Sequence, residues 1–418
     1  MFIRSGPIRR DFYKILNNCN PIKLIIMDEK NLYMNRRNAI KTLTLGALAV
    51  GAASCKYETK SAEPVNASNT GHGKKATWEK VVAPSDVSLI KGNDPRDNVF
   101  NALKKIEDEI MAGLEGKKRV LIKPNFVFIN NPLCATKVEA VRGILDFIKP
   151  RFKGPIEIGE ATVSGANGWN AGTEGTMGGF RDYGYLPLEK EYGVTLTDLN
   201  QTPHEIKYVF SEVGNKPVPI RIISKFLDND QYLISAGKMK THNCVLVTLS
   251  LKNILMGCPK NDYPTQNDKF LMHGTGTASP FTVTIPGKSI NEMDASDLKI
   301  SLTKDMVLHY NIFHMAQNVF PDLGVIDAFE SMEGAGPHQG TPVDTRLALA
   351  SVDPLALDFV GTRIMGFDPL IVSYLASMYE AGMGQGDMNK INILGANLND
   401  CLFNFKPHPS LAEPYGLV

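Results

Sequence analysis

Apolar residues recur at two spacings along the chain, one typical of helices and the other of buried strands. Between residues 94 and 116 they recur every three or four positions, which places them on one face of a helix. Asp94 and Pro95 are typical of the start of a helix, and Gly116 is typical of its end. Residues 119–123 form a short apolar run, which predicts a buried strand.

A second helix and a second strand follow this pair. Residues 136–139, Thr-Lys-Val-Glu, have the pattern of a capping box at the start of a helix, and residues 155–160 form another strand-like run. Strand, helix and strand at this spacing are typical of a βαβ unit. We therefore predict an α/β fold with a mixed, mostly parallel sheet flanked by helices.

Glycine-rich and turn-rich segments interrupt this alternation. Residues 164–184 contain seven glycines, which predicts a long Gly-rich loop over one end of the sheet. Residues 205–223 form shorter extended runs broken at 214–217, which predicts a small β-rich insertion. Further along, Asp353 precedes a proline and is expected to cap a helix, with Asp358 solvated in the first turn.

The composition excludes several classes of protein. With 418 residues, 43% hydrophobic and 21% charged, the chain can bury the core of one large domain or of two. The net charge of +1 gives no general attraction to nucleic acid or to acidic membranes. The six cysteines show no paired spacing, which argues against an iron–sulfur or zinc cluster and against a disulfide scaffold.

The first 55 residues have the order of an export signal. A basic segment with Arg36 and Arg37 precedes an apolar stretch, 43–53, that ends at Ser54 and Cys55. The paired arginines suggest the twin-arginine route, with an ordinary Sec signal as the alternative. Residues 52–55 resemble a bacterial lipobox without its usual leucine. We predict an exported protein of the periplasm or outer cell envelope, with a lipid anchor at Cys55.

These features divide the chain into three regions. Residues 1–55 are the leader and the export or lipoprotein signal, and the start of the protein is either Met1 or Met34. Residues 56–80 are mostly small and polar, which predicts a flexible tether. Residues 81–418 are predicted to form the α/β domain.

A lysine-rich segment follows the apolar run at 232–235. If the chain stays extended, Lys238, Lys240 and His242 lie on one face, and Lys252 follows about ten residues later. Ammonium groups with almost no acid among them attract an anion, and a partly desolvated lysine can act as a base or a Schiff-base nucleophile. We predict catalytic roles for these four residues, with solvated lysines along a strand edge as the alternative.

Other polar residues are expected at the same edge, because ligands of open α/β sheets bind where strands end. The glycines between 334 and 340 follow the predicted strand 323–327 and form either a phosphate loop or a tight turn at the rim of a site. Asp327, Glu333 and Asp358 could bind a hard metal or orient the lysines, but no metal site is assigned. The predicted ligand-binding residues are Lys123, Asn125, Asn253, His273, Asp327, Glu333, Gly334 and Gly336.

Several segments together resemble the bacterial and archaeal family called domain of unknown function 362. The resemblance covers roughly residues 85–400. Some members carry a ferredoxin-like cysteine segment at the C-terminus, which implies redox work for them, whereas this chain has Cys401 alone there. The matching segments are 123–125, 238–242, 248–257, Lys269 with His273, 321–327, 332–340 and 353–358.

Three functions are consistent with these patterns. The first is an exported enzyme that acts on a small anionic substrate at the lysine and histidine residues. The second is a lipoprotein that binds such a molecule without turnover. The third is a metal-associated or redox protein, as the ferredoxin-bearing relatives imply. The sequence names no cofactor. The expected partners are a small anionic molecule and a membrane, reached through the lipid anchor, and not nucleic acid.

Overall fold

A nine-stranded sheet forms the centre of the described chain, and a separate hairpin accompanies it. The structure is a computed structural model, which describes residues 72–164, 174–211, 216–274 and 295–417. The strands are β1 (Ser85–Lys91), β2 (Arg119–Lys123), β3 (Ile156–Glu160), β4 (Thr195–Asp198), β5 (His204–Ser211), β6 (Lys216–Ile223), β7 (Gln231–His242), β8 (Leu246–Thr248), β9 (Leu323–Glu333), β10 (Thr341–Ser351) and β11 (Ile391–Gly395).

Helices connect most of these strands, and a 3₁₀ turn at Asp268–His273 follows the helix after β8. The helices are α1 (Pro95–Lys105), α2 (Glu107–Leu114), α3 (Val138–Arg151), α4 (Gly175–Asp182), α5 (Pro187–Tyr192), α6 (Ser250–Leu255), α7 (Ala295–Ala316), α8 (Pro354–Ile364), α9 (Ser373–Glu380) and α10 (Pro409–Ala412). Within the described residues, no helix combines the length and the apolar character needed to cross a membrane.

The sheet is mixed and mostly parallel, as predicted. Its order is β11-β1-β10-β9-β7-β2-β3-β4, with β8 paired to β7 outside this path. Neighbours from β9 to β4 are parallel, whereas β10 is antiparallel to both of its neighbours. The unit β2-α3-β3 has the predicted βαβ connection, and β5 and β6 form the predicted β-rich insertion.

The core lies on both faces of the sheet, because successive side chains of a strand point to opposite sides. In β2, Leu121 packs into one apolar cluster, whereas Val120 and Ile122 pack into the other. Neighbouring β7 repeats this division, with Leu233 on one side and Ile234 on the other. The continuous apolar runs of these strands are therefore those of strands buried on two faces.

Two predicted elements are wrong in detail. The helix predicted for 94–116 is two helices that meet at Ile106, although Asp94 caps the first as predicted. The capping box at 136–139 does not form: helix α3 begins at Val138, and Thr136 donates instead to the carbonyl of Ala236 at 2.7 Å. A tertiary hydrogen bond thus takes the hydroxyl that a cap would have used.

The predicted boundaries of the Gly-rich loop and of the tether also differ from the structure. Part of the predicted loop forms α4, while residues 165–173 lie outside the described residues. Residues 72–80, predicted to belong to the tether, pack against the domain. The backbone N–H of Lys74 donates to Ala316 at 2.9 Å, and that of Thr77 donates to Ala381 at 2.9 Å. The predicted boundary at residue 81 therefore falls inside a folded region.

Candidate functional site

Polar side chains meet where the parallel strands end, at what we call the carboxyl edge of the sheet. Strand β2 ends at Lys123 and β3 ends at Glu160, whereas β7 continues past them to His242. The chain stays extended from Lys238 to His242, as predicted. Every residue of β7 is buried, so these lysines do not lie along a solvated strand edge.

Five buried lysines gather here: Lys123, Lys238, Lys240, Lys252 and Lys269, called the lysine cluster below. Lys123 lies 2.8 Å from Glu160 and donates to Pro124 at 2.9 Å and to Asn253 at 3.1 Å. Asn253 donates in turn to the carbonyl of Lys123 at 3.0 Å. Because an ammonium group has three hydrogens, these bonds saturate Lys123, which holds the end of β2 in place.

Asn125 connects this network to Lys240. Its amide group donates to the side-chain oxygen of Asn253 at 2.9 Å, and its own oxygen accepts from Lys240 at 2.7 Å. Lys240 also donates to the carbonyl of Cys134 at 2.6 Å. Burial lowers the pKa of Lys240 to about 8. These two bonds leave one ammonium hydrogen of Lys240 for another acceptor.

Lys238 has a carboxylate partner on the neighbouring strand. It lies opposite Asp327 in the parallel pairing of β7 with β9, and its ammonium is 3.0 Å from that carboxylate. Asp327 also accepts the backbone N–H of Lys137 at 2.9 Å. The register shifts after this pair, and β9 continues to Glu333. The prediction that the strand ends at Asp327 is therefore wrong.

Lys252 differs from the other members of the cluster. It lies on α6 and is 6% exposed, yet it makes no hydrogen bond or ion pair with any residue that the structure describes. Burial lowers the pKa of Lys252 to about 7, and the nearby charge of Lys240 lowers it further. A buried ammonium without a partner is costly, so this position favours either a neutral amine or a bound anion.

Helix α6 is held in place by Asp358. This buried carboxylate accepts the backbone N–H groups of Ser250 at 2.9 Å and of Leu251 at 3.0 Å. Burial raises the pKa of Asp358 to about 8, although both hydrogen bonds favour the ionised form. The prediction that Asp358 is solvated was wrong. It instead joins α8 to the start of the helix that carries Lys252 and Asn253.

Two imidazoles lie near Lys252. Nδ1 of His242 accepts the backbone N–H of Cys244 at 3.0 Å, so the neutral ring carries its hydrogen on Nε2. Burial keeps the pKa of His242 well below its ordinary value, and the charge of Lys252 contributes. Burial lowers the pKa of His273 to about 3, again with a contribution from Lys252. Both rings are therefore neutral at pH 7 and can donate hydrogen bonds without carrying charge.

Lys269 and Gly257 shape this site, although neither was predicted to belong to it. Lys269 donates to three carbonyl oxygens, those of Met256 at 3.3 Å, Gly257 at 2.8 Å and Pro259 at 2.7 Å, and so holds the turn after α6. A Cβ atom on Gly257 would lie 2.1 Å from Cε of Lys123. A side chain at this position would therefore displace Lys123 from Glu160.

The loop after β9 contributes less than predicted. The carboxylate of Glu333 accepts the backbone N–H of Lys406 at 2.9 Å, which directs it to the C-terminal segment. The carbonyl of Gly334 accepts the hydroxyl of Thr241 at 3.0 Å, and a Cβ atom on Gly336 would lie 2.1 Å from the carbonyl oxygen of Thr241. These residues pack the loop onto β7. Cys55 lies outside the described residues.

The opposite edge of the sheet contains a cavity of about 340 Å³. Its lining includes Lys117, Asn229 and Asp322, which precede β2, β7 and β9, together with His72. It is thus separate from the lysine cluster. In the part of the chain that the structure describes, no three or more His, Cys, Asp or Glu side chains are arranged to hold a metal ion.

Comparison with known proteins finds distant similarity. The thylakoid-associated protein sll1697 of Synechocystis sp. is 25% identical over 267 residues, which cover 63% of this chain and 68% of the relative. A crystal structure of a Thermotoga maritima protein, from the Northeast Structural Genomics Consortium, shares 10% identity with a TM-score of 0.33. That comparison covers 70% of this chain and 59% of the other.

A family comparison covers the central part of the chain. The model of a domain of unknown function, DUF362, matches residues 120–363, which are more than half of the chain. This range contains all but the first residue of β2, together with β7, α6 and every member of the lysine cluster. The chain therefore belongs to the DUF362 family.

Proposed function

We propose that this protein binds a small anionic molecule at the carboxyl edge of the sheet, through Lys240, Lys252 and His242. The observation that carries the proposal is that Lys252, only 6% exposed as a residue, makes no hydrogen bond or ion pair with any residue that the structure describes. Within the described residues, Glu160 and Asp327 are the only carboxylates paired with the five buried lysines. The remaining positive charge favours an acceptor supplied by a ligand.

The unused hydrogen-bond donors support the same conclusion. Lys252 has three free donors with respect to the described residues, Lys240 has one after its two bonds, and neutral His242 presents Nε2–H. Charge-assisted hydrogen bonds to a carboxylate or phosphate are about twice as strong as neutral ones. A carboxylate or phosphate group small enough to enter the site would neutralise Lys252 and use these donors.

The proposal can be tested by thermal shift with phosphorylated and carboxylated metabolites. We expect at least one small anion to raise the Tm of the wild type, and Lys252→Met to abolish that increase. The same substitution should leave the ligand-free protein as stable as the wild type or more stable, because it removes a buried charge that has no described partner. Isothermal titration of the best anion measures the affinity directly.

Lys225→Met is a matched control, because Lys225 is another partly buried lysine but pairs with Glu157 away from the site. It should keep the full ligand-induced shift. The proposal is wrong if no anion stabilises the wild type, or if Lys252→Met responds as the wild type does.

We further propose that the protein is exported and anchored to a membrane through a lipid on Cys55. The basic and apolar order of residues 36–55 supports export. The relative from Synechocystis is named for its association with thylakoids, which favours a membrane location. Cys55→Ser should release the protein from isolated membranes into the soluble fraction. Unchanged membrane association of this variant would contradict lipidation at Cys55.

A further inference from the structure

The hydrogen bonds of the lysine cluster divide its members into two groups. Lys123 and Lys269 are saturated by three acceptors each. Lys238 has the carboxylate of Asp327, and Lys240 has two oxygen acceptors. Lys252 has no acceptor among the described residues. Four of the lysines therefore hold the backbone and the strands together. Lys252 makes no hydrogen bond with a described residue that would explain why it is buried.

The surroundings of Lys252 favour the neutral amine form of its side chain over the ammonium form. The residue is 6% exposed, and a second cation, Lys240, acts on it through its charge. Desolvation and a neighbouring cation are the two conditions that make a lysine nucleophilic near neutral pH. A lysine kept only to bind an anion would need neither condition, since an ordinary exposed ammonium is fully charged at pH 7.

We propose that Lys252 forms an imine with the carbonyl carbon of a small 2-oxo carboxylate. This inference rests on the function proposed above and names the substrate class of the same site. The 2-oxo carboxylate fits because it combines a carbonyl for the amine with a carboxylate for Lys240 and for Nε2–H of His242. Both donors belong to β7, which packs against the helix α6 that carries Lys252, and both interact with Lys252 through their charges.

The step balances without an oxidant or a reductant. The lone pair of Nζ of Lys252 attacks the carbonyl carbon, and the C=O π bond breaks as the C–N bond forms. A proton moves from nitrogen to the former carbonyl oxygen, giving a carbinolamine. Loss of the hydroxyl group and the remaining N–H proton as water then forms the C=N bond. The carboxylate of the substrate keeps its hydrogen bonds to the protein throughout.

The test is reductive trapping with the full-length protein. Pyruvate, glyoxylate or 2-oxoglutarate is added at pH 7 with sodium cyanoborohydride, and lactate serves as the matched acid without a ketone. We expect a stable adduct whose mass exceeds that of the protein by one 2-oxo acid less one oxygen atom. Peptide mapping should place it on Lys252, at a yield about tenfold above that of any other lysine.

Two variants separate this inference from the binding proposal. Lys252→Arg keeps a positive charge, so it should retain a thermal shift with lactate or pyruvate while losing the adduct. Lys225→Met should keep both. Stabilisation by the acids without any adduct, or an adduct on another lysine, overturns the imine inference and leaves anion binding intact. If the acids neither stabilise nor modify the wild type, the imine inference fails, while the wider anion panel decides the binding proposal.

Discussion

Four buried lysines of the cluster illustrate how a protein can offset the cost of burying a charge. Lys123 and Lys238 are neutralised by carboxylates, Lys269 is solvated by three backbone carbonyls, and Lys240 is solvated by two oxygens. Removing one partner of a buried pair leaves the other charge uncompensated, which is costlier than losing an exposed pair. Substitutions of the partners should therefore have unequal effects.

Two glutamates on β3 provide a matched comparison. Glu160→Gln leaves the buried ammonium of Lys123 without a carboxylate and should lower the free energy of unfolding by about 3 kcal/mol. Glu157→Gln removes a partly exposed pair with Lys225 and should cost less than about 1 kcal/mol. Urea denaturation of both variants measures these values. Equal losses in the free energy of unfolding would mean that the Lys123–Glu160 pair contributes no more to stability than an exposed ion pair does.

Lys252 predicts a specific pH dependence of stability. Its pKa is about 7 in the folded protein and near 10.5 in the unfolded chain, so between these values the unfolded state binds more protons. Stability should therefore rise with pH across this window, by at most about 1.4 kcal/mol per pH unit from this group. The difference in unfolding free energy between the wild type and Lys252→Met, measured from pH 6 to pH 10, isolates the contribution. A constant difference would contradict a lowered pKa of Lys252.

The residues that give the site its chemistry could be predicted from the sequence, but their partners could not. Lys238, Lys240 and His242 alternate in one segment, and this local pattern survives folding. Glu160 lies 37 residues from Lys123 and ends an ordinary strand, so nothing local marks it as the partner of a buried lysine. The available signal was that β2 and β3 are adjacent parallel strands, one ending in lysine and the other in glutamate.

Among the secondary-structure elements, the short helix α6 decides where Lys252 and Asn253 lie. Its first backbone N–H groups are bound by Asp358 of α8 rather than by a local cap. A helix of six residues has little stability of its own. The position of the amine of Lys252 thus depends on a carboxylate about a hundred residues away in the sequence.

Asp358→Asn tests this dependence. An amide can accept only one of the two N–H groups, so the substitution should lower the free energy of unfolding by about 1–3 kcal/mol and weaken anion binding. Asp353→Asn removes a comparable acceptor at the start of α8. One oxygen of Asp353 accepts the N–H groups of Leu355 and Ala356 and is kept in the amide, whereas the other accepts the backbone N–H of Gln385 at 2.8 Å and the Ser85 hydroxyl at 2.7 Å and is lost. This variant should be less stable than the wild type, but its folded form should bind the anion as tightly as the wild type does. Calorimetry and titration of both variants separate the effects, and equal affinities would contradict a positioning role for Asp358.

Elements were predicted well where the deciding contacts are local. Asp94 and Asp353 cap their helices as their Asp-Pro sequences indicate. The capping box at Thr136 failed because its hydroxyl bonds to Ala236 on β7, a contact absent from the local sequence. The prediction for Asp358 was wrong for the same reason. The local sequence is compatible with a solvated first turn of a helix, and it does not show that α6 packs against this residue.

At the scale of the whole molecule, the βαβ pattern predicted the class of fold and most of the sheet. It did not predict the antiparallel β10 between β9 and β1, which depends on pairing between distant segments. It also placed the start of the folded region too late, because residues 72–80 are polar and short of large apolar side chains. Their contacts include backbone hydrogen bonds, an ion pair between Lys80 and Glu380 at 3.0 Å and an edge-on ring contact between Trp78 and Phe313.

Removing residues 72–80 should therefore destabilise the domain. A chain that begins at residue 81 should have a Tm a few degrees below that of a chain beginning at residue 72, since each lost kcal/mol lowers the Tm of a large domain by about 2–4 °C. Differential scanning calorimetry measures the difference. Equal Tm values would mean that this segment contributes no net stability despite its hydrogen bonds.

The segment around His72 meets the domain beside Asp322, at the amino ends of the strands, whereas Lys406 and Ser410 contact Glu333 and Asn243 near the carboxyl edge. The two ends of the folded region therefore leave it on opposite sides. For surface-based measurements, attachment through a tag placed before residue 72 should leave the carboxyl edge facing away from the surface. A tag or a bead coupled at the other terminus would stand on the side of the carboxyl edge and could obstruct a ligand that binds there.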